Sequence, residues 1–422
     1  MEVNIKFLGG ALEVGKEGIL LTNGITKILL DYGSTVSDEK PKFPEHVRPS
    51  EIEAIILSHA HLDHSGALPY LYVSGAPELL ATQATIKLSK LLLKDFLKIS
   101  GDYLPYETKD IEALEKHAHC VEYKERIVRK NFEATFLNAG HIPGSMISVI
   151  EIGSKTIVFT GDFNTIPTRL VKEAEPNVPP ADAIIMEGTY TEKDHPDRNE
   201  MERLLVEEVK NVVESGGVVL IPAFSVGRSH EIIMVLRELG YDGEIHLDGM
   251  AREAAEISLK NPSFLKDAKK FEKVLESINW IDRWSERRKA VKMPGVIVSP
   301  AGMLRGGAAV FYMEKVAFSS KNAIFIVSYQ ANNTPGRMLL DTKSVVLHGK
   351  RKKVEAEIKT FDFSSHCGRK ELIEFIKNLK GEPKVFLVHG EAENLKKFAQ
   401  EASEKTGHQV FAPANGENVV IH

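Results

Sequence analysis

Ser58-His59-Ala60-His61-Leu62-Asp63-His64-Ser65-Gly66 packs three histidines and one carboxylate into six positions. Directly before it, Ala54-Ile55-Ile56-Leu57 is a short apolar run that reads as a buried strand. The histidines therefore leave a strand end and enter a tight loop, with Leu62–Gly66 opening the next helix. A loop aims neighbouring side chains at different points, which a regular strand or helix does not. His59 and His61 can then serve one metal while Asp63 and His64 serve a second. Imidazole nitrogen with carboxylate oxygen, without thiolate, suits zinc in a hydrolytic site. A metal-free polar turn is the plain alternative. Four ligand-type residues in six positions behind an apolar strand argue against it.

The same strand-then-ligand arrangement recurs outward from this stretch. Segments 3–8, 18–22 and 26–31 read as an antiparallel meander with a turn at Asn23-Gly24. The third ends in Leu29-Leu30-Asp31, where Asp31 either orients a ligand histidine or caps a turn. Strand Phe132–Leu137 runs into Gly140-His141, and hairpin Met146–Ile152 with Thr156–Thr160 runs into Gly161-Asp162. Ala183–Met186 is one more strand, followed by Glu187. A lone histidine or aspartate of this kind is ordinarily a loop polar group. Repetition of the pattern argues for a common site. His117 and His119, in a charged segment after the amphipathic helix of residues 84–99, receive no role.

Composition bounds the class. The 422 residues are 43% hydrophobic and 27% charged, which suits a soluble globular chain of two domains. No apolar run reaches the length of a membrane span. The opening residues alternate as a strand rather than as a signal peptide, and Cys120 and Cys367 stand far apart. A reducing, cytoplasmic setting is expected, with no thiolate zinc site. A net charge of −5 excludes a uniformly basic nucleic-acid binder but leaves local basic segments, Arg283–Lys292 and Lys350–Lys353. Solvated charged faces are the more common account of such runs, and RNA contact is the alternative.

From about Pro196 helices alternate with short apolar strands at Val218–Pro222, Ile245–Leu247, Val296–Ser299 and Ile324–Val327, and a helix is expected over Met201–Glu214. This is the pattern of a parallel α/β domain, whose ligands bind at the carboxyl ends of the strands. Those ends carry Ala223-Phe224-Ser225-Val226-Gly227-Arg228, Ser299-Pro300-Ala301-Gly302-Met303-Leu304-Arg305-Gly306-Gly307 and Ser328-Tyr329-Gln330-Ala331-Asn332-Asn333-Thr334-Pro335-Gly336-Arg337. Glycines let the backbone approach phosphates, and Arg228, Arg305 or Arg337 could pair with them. Each loop alone is also ordinary tight-turn chemistry. The first pattern then returns: Ser364-Ser365-His366-Cys367-Gly368, helix Arg369–Leu379, strand Val385–Val388 and His389.

HxHxDH, a glycine-flanked histidine and Gly-Asp together resemble the metallo-β-lactamase superfamily, an αβ/βα sandwich with metals along one edge. Flavo-diiron members carry Glu where this chain has His61, so zinc hydrolases fit better. The inserted α/β segment resembles the β-CASP branch, near homologues of the nuclease subunit of the cleavage and polyadenylation specificity factor. That resemblance implies a hydrolase domain in two parts, 1–191 and 359–422, around a β-CASP domain at 192–358. It implies two zinc ions, one on His59, His61 and His141, the other on Asp63, His64 and His389, bridged by Asp162. Glu187 and His366 match acidic and histidine motifs, with His366 as proton donor, and His389 favours RNA over DNA. Arg228, Ser299, Gly302, Arg305, Ser328, Thr334, Gly336 and Arg337 would contact substrate. Ser229-His230 and Asn332-Asn333 depart from the family pattern.

The expected function is a zinc-dependent ribonuclease acting on single-stranded RNA and leaving 5′-phosphate and 3′-hydroxyl ends. Endonuclease and 5′→3′ exonuclease modes both suit the site. The competing readings are a small-molecule hydrolase of the same fold, which would not need the insert, and a silent RNA-binding scaffold, which would have lost ligands. No membrane partner is expected; a homodimer is one allowed assembly, and other RNA-processing partners stay open.

Overall fold

Strands that are apolar along their whole length need cover on both faces, and the period of two sorts their side chains between them. Ile28 and Leu30 join Ala54 and Ile56 in one cluster, whereas Leu29, Ile55 and Leu57 join another. Phe386 and Val388 share that first cluster, while Val385 and Leu387 point the opposite way. The structure is a computed structural model that describes residues 2–36, 40–331 and 333–422. It divides into two units, Met1–Asp194 with Ser365–His422, and His195–Ser364.

The first unit contains two seven-stranded sheets. One runs in spatial order Asn418–Ile421, Val3–Gly9, Gly18–Thr22, Lys27–Leu30, Ala54–Ile56, Glu78–Thr82, Ala118–Val121. The other runs Val410–Phe411, Lys384–Val388, Ala183–Glu187, Lys155–Phe159, Met146–Ile152, Phe132–Asn138, Arg126–Val128. Their inner faces share a core in which the Phe7 and Phe386 ring centroids lie 5.8 Å apart. Helices Gln83–Ser100 and Thr108–Lys116 cover the outside of the first sheet, Arg369–Lys377 and Ala392–Thr406 that of the second. This is the αβ/βα sandwich.

Strand register brings the ligand-bearing loops together. The opening strands form the antiparallel meander, with Thr22 opposite Lys27 across the Asn23-Gly24 turn. From Lys27–Leu30 onward the neighbours are parallel, and Leu30 pairs with Ile56. Asp31 therefore stands beside the start of the histidine loop. In the second sheet Phe159 pairs with Ile185 and Glu187 with Val388, both in parallel. Asp162, Glu187 and His389 thus leave adjoining strands at the same edge.

The second unit is a six-stranded, wholly parallel sheet in the order Asn279–Ile281, Ile245–Asp248, Gly295–Ser299, Val218–Pro222, Ala323–Ile326, Glu357–Thr360. The four strands expected from the apolar runs are each present to within one residue at either end. Asn279–Ile281 is too short to register as a run, and Lys350–Lys353, paired with Ser344–Leu347, hides its strand under four basic side chains. Helix Arg198–Glu214 begins a turn before Met201 because the Asp197 carboxylate accepts the Glu200 N–H at 2.9 Å.

Phe7 is fully buried between the sheets. Phe7→Ala is expected to lower the stability of the first unit by about 3–5 kcal/mol, the usual effect of deleting a core aromatic ring. Denaturant unfolding measures this, and a loss below about 1 kcal/mol contradicts the shared inter-sheet core.

Candidate metal centre

Asp162 sits at the middle of the assembled side chains. Its Oδ2 lies 3.5 Å from His59 Nε2 and 3.7 Å from His141 Nε2, and its Oδ1 lies 3.4 Å from His64 Nε2 and 3.3 Å from His389 Nδ1. His141 Nε2 comes within 3.1 Å of His61 Nδ1, and His389 Nε2 within 3.4 Å of Asp63 Oδ2. Candidate ligand atoms fall into four overlapping groups whose members lie within 4.8 Å of one another: His59, His61, His141 and Asp162; His59, Asp63 and His64; His64, Asp162 and His389; and Asp162, Glu187 and His366. The first group holds the three histidines expected on one ion together with the expected bridge. Asp63, His64 and His389 are spread over the second and third groups rather than forming one, with Asp162 beside His64 and His389.

The donor set fits a metal. The Nε2 atoms of His59, His64 and His389 and the Oδ1 of Asp162 are buried and make no hydrogen bond among the described residues. Leaving such atoms unsatisfied is costly, and an ion resolves it. The other ring nitrogens are fixed by neighbours, which sets the tautomers. His64 Nδ1 donates to Asp31 Oδ2 at 2.6 Å, His141 Nδ1 to the Ser365 carbonyl at 2.9 Å, and His59 Nδ1 meets Ser58 Oγ at 3.1 Å. Asp31 also accepts the Ser58 N–H at 2.7 Å and the Ser58 hydroxyl at 2.6 Å, so one carboxylate secures the loop and orients a histidine. Cys367 adjoins His366 in sequence, but its thiol is buried in an apolar cluster, and burial raises its pKa.

Electrostatics follow from crowding ionisable groups in a dry space. Burial holds the His59 and His141 rings well below the ordinary imidazole range. Burial also opposes charge on His64 and His389, yet the carboxylates prevail: Asp162 and Asp31 hold His64 well above that range, and Asp162 and Asp63 raise His389 to about 9. Asp162 stays ionised despite its burial because His389 and His64 face it.

His366 stands at the rim of this cluster. Its Nδ1 contacts both Glu187 oxygens, at 3.0 and 2.9 Å, and lies 3.9 Å from Asp162 Oδ2. Glu187 is itself positioned by the Phe163 N–H at 2.8 Å and by the Thr189 hydroxyl. That hydroxyl also lies 3.2 Å from His389 Nδ1. Burial opposes the charged His366 imidazole, but Glu187 and Asp162 raise its pKa above the ordinary value.

Sequence reasoning passed over Glu17. Both its carboxylate oxygens are buried without a hydrogen bond among the described residues, and burial raises its pKa to about 8. Its chain segment is bonded to the metal loop, Glu17 N–H to the Asp63 carbonyl at 2.8 Å. Thr189 was passed over too; it lies in the Glu187-Gly188-Thr189 turn, where only Glu187 drew notice.

The substrate-contact candidates all lie in the second unit, at the carboxyl ends of three neighbouring strands, on the strand ends, the loops after them or the first turns of the helices that follow. Gln330 Nε2 bonds the Gly302 carbonyl at 2.9 Å, the Gly336 N–H bonds the Met303 carbonyl at 3.1 Å, and a Cβ on Gly302 would come 3.2 Å from Ser328 Oγ. Ser299 ends its strand and donates to the Pro300 carbonyl at 2.8 Å. Thr334 caps helix Pro335–Thr342 by accepting the Arg337 N–H at 3.2 Å, and Arg337 pairs with Asp341 at 3.0 Å. Arg228 opens helix Arg228–Glu238, and Arg305 is exposed in its loop. Asn332 lies outside the described residues. His230 is a core histidine, bonded to the Ala251 carbonyl at 2.7 Å and packed on Phe271.

Residues 19–177 match a metallo-beta-lactamase superfamily domain, 229–339 a Beta-Casp domain, and 351–413 a Zn-dependent metallo-hydrolase RNA specificity domain. The chain is 40% identical over 424 residues to RNase aCSPSF2 of Saccharolobus solfataricus, covering all of this chain and 86% of that protein (100% and 86%). It is 35% identical to the probable RNase MJ4 of Methanocaldococcus jannaschii (99% and 100% covered) and 34% identical to the transcription termination factor FttA of the same organism (98% and 71% covered). A crystal structure of a protein of unknown function from Enterococcus faecalis shares the fold, with a TM-score of 0.63 at 14% identity and 100% of both chains covered. On these grounds the chain belongs to the β-CASP branch of the metallo-β-lactamase superfamily, a family of metal-dependent hydrolases.

Proposed function

We propose that this protein is a zinc-dependent ribonuclease that hydrolyses RNA phosphodiester bonds and leaves 5′-phosphate and 3′-hydroxyl ends. The observation that carries the reading is the buried nitrogen-and-oxygen cluster around Asp162, with its unsatisfied ring nitrogens, in a chain whose relatives are named RNases. In this reading the hydrolase domain comprises residues 1–191 and 359–422, and the β-CASP insert comprises 192–358. In this reading His59, His61 and His141 would hold one zinc and Asp63, His64 and His389 the other, with Asp162 facing both sets. Zinc held there would supply an activated water and neutralise charge on the phosphate.

The chain's own groups do the rest. Asp31 fixes His64 through Nδ1, so that Nε2 faces inward. Glu187 engages His366 Nδ1, leaving Nε2 to give its proton to the departing 3′-oxygen. A carboxylate behind the ring stabilises the imidazolium before transfer. In the insert, Arg228, Ser299, Gly302, Arg305, Ser328, Thr334, Gly336 and Arg337 are the proposed backbone contacts to RNA. Both endonucleolytic cutting and 5′→3′ exonucleolytic trimming use such a site. RNA labelled at either end, compared as 5′-triphosphate, 5′-monophosphate and circular substrates, separates the two. Absence of cleavage of every one by zinc-loaded protein refutes the ribonuclease reading.

Asp31→Ala is expected to weaken zinc affinity about 10–100-fold, the usual consequence of losing the partner of a ligating histidine. Competition with a chromogenic chelator measures it, and an unchanged affinity removes Asp31 from the metal centre.

His366→Ala is expected to keep its zinc and bind RNA while cleaving about 10²–10⁴-fold more slowly. The loss should shrink for a phosphodiester with a nitrophenolate leaving group, which needs no proton. An equal loss on both substrates, or loss of zinc, rules out proton donation by His366.

A further inference from the structure

Trp284 is held open to solvent by a rigid support. Its side chain opens helix Trp284–Ala290 and the residue is 57% exposed, unusual for so large a ring. The Arg287 guanidinium stands 4.8 Å from the ring centroid, and Phe311 meets the indole at 85° with centroids 5.3 Å apart. Arg287 is in turn anchored by two bonds to the fully buried Asp248, at 2.7 and 2.9 Å. A buried carboxylate therefore fixes the arginine against which the indole rests. Phe311 lies on helix Gly307–Val316, which begins at the end of the Ser299–Gly306 loop. Lys315 also stands 5.9 Å over the Phe311 ring.

Cations outnumber acids around it: the segment's two carboxylates are engaged, Asp282 by Arg252 and Glu286 by the Arg283 N–H. Arg283, Arg288, Lys289 and Lys292 are exposed and form no ion pair among the described residues, although the chain as a whole carries −5. Positions three and four along a helix share a face, so Arg287 and Arg288 lie on the side of Trp284. An exposed aromatic ring among cations is the combination that binds unpaired nucleic acid: bases stack on the ring and phosphates meet the charges. Charge complementarity selects a polyanion, and the ring selects one with flat bases.

Resting on the ribonuclease reading, we infer that Trp284 is a stacking platform for an unpaired base of single-stranded RNA, flanked by Arg288 as a phosphate contact. The test uses zinc-loaded protein carrying His366→Ala to slow cleavage and Trp280→Phe to leave Trp284 as its one tryptophan, with a twenty-nucleotide oligouridylate as probe. Tryptophan emission should be quenched on binding, and Trp284→Phe should abolish that quenching while retaining most affinity. Trp284→Ala should weaken binding about ten- to a hundredfold with an unchanged salt slope, because stacking releases no counterions. Arg288→Glu should weaken binding and flatten the slope. The inference is overturned if Trp284→Ala binds as tightly as its parent, if quenching survives in Trp284→Phe, or if polyphosphate quenches equally. It is also overturned if the surface proves to be covered by a second copy, seen as a dimer that Trp284→Ala dissociates. RNA cleavage by the unmodified enzyme, with no effect of Trp284→Ala on binding, defeats this inference alone; absence of RNA binding and cleavage defeats the ribonuclease reading with it.

Discussion

Asp162 is a carboxylate at 2% exposure with the imidazoles of His59, His64, His141 and His389 within 3.7 Å. Removing these groups from water is expensive, and their mutual attraction offsets the cost only when geometry is tight and the outward-facing atoms are bonded. The rest of the first unit supplies that geometry. Parallel register puts Asp31 beside the histidine loop and His389 beside Glu187. Asp31 and His389 both adopt left-handed backbone conformations, with φ of 53°, which non-glycine residues enter only when their surroundings hold them there. The Asp31 N–H is held by the Ile56 carbonyl at 3.0 Å and that of His389 by the Gly10 carbonyl at 2.7 Å. Gly33 packs so closely under the loop that a Cβ would fall 1.6 Å from the Asp63 carbonyl oxygen.

Much of this was legible in the chain because strand ends write themselves as apolar runs followed by ligand-type residues. Ala54–Ile56 with the loop after it is the plainest case, and the meander around Asn23-Gly24 follows from turn chemistry. His141 and Asp162 were individually weak and gained meaning from repetition. At Asp31 the spacing allows either a partner for a histidine or a turn cap; the carboxylate bonds the Ser58 N–H and the His64 ring, both remote in sequence, rather than its own turn. Glu17 was not legible. It lies in Glu13-Val14-Gly15-Lys16-Glu17, whose glycine and charges read as a solvated turn, and only the fold buries it. The pairing of Glu187 with His366 spans residues far apart in sequence, so local pattern could nominate each but not join them.

The insert teaches a complementary lesson. Its buried parallel strands are apolar runs and were read directly, whereas the Lys350–Lys353 strand was masked by its charges. The segment Arg283–Lys292 looked like a solvated basic face. The buried Asp248 beneath Arg287 and the exposed indole above it distinguish this segment from a merely charged surface.

The central claim is that the cluster around Asp162 is a two-zinc centre. Elemental analysis of purified protein, combined with zinc titration of the metal-free form, tests it most directly. The account predicts about two zinc ions per chain, with RNA cleavage appearing only as the second equivalent binds. Full activity with a single ion, or a sample containing only iron, would contradict it.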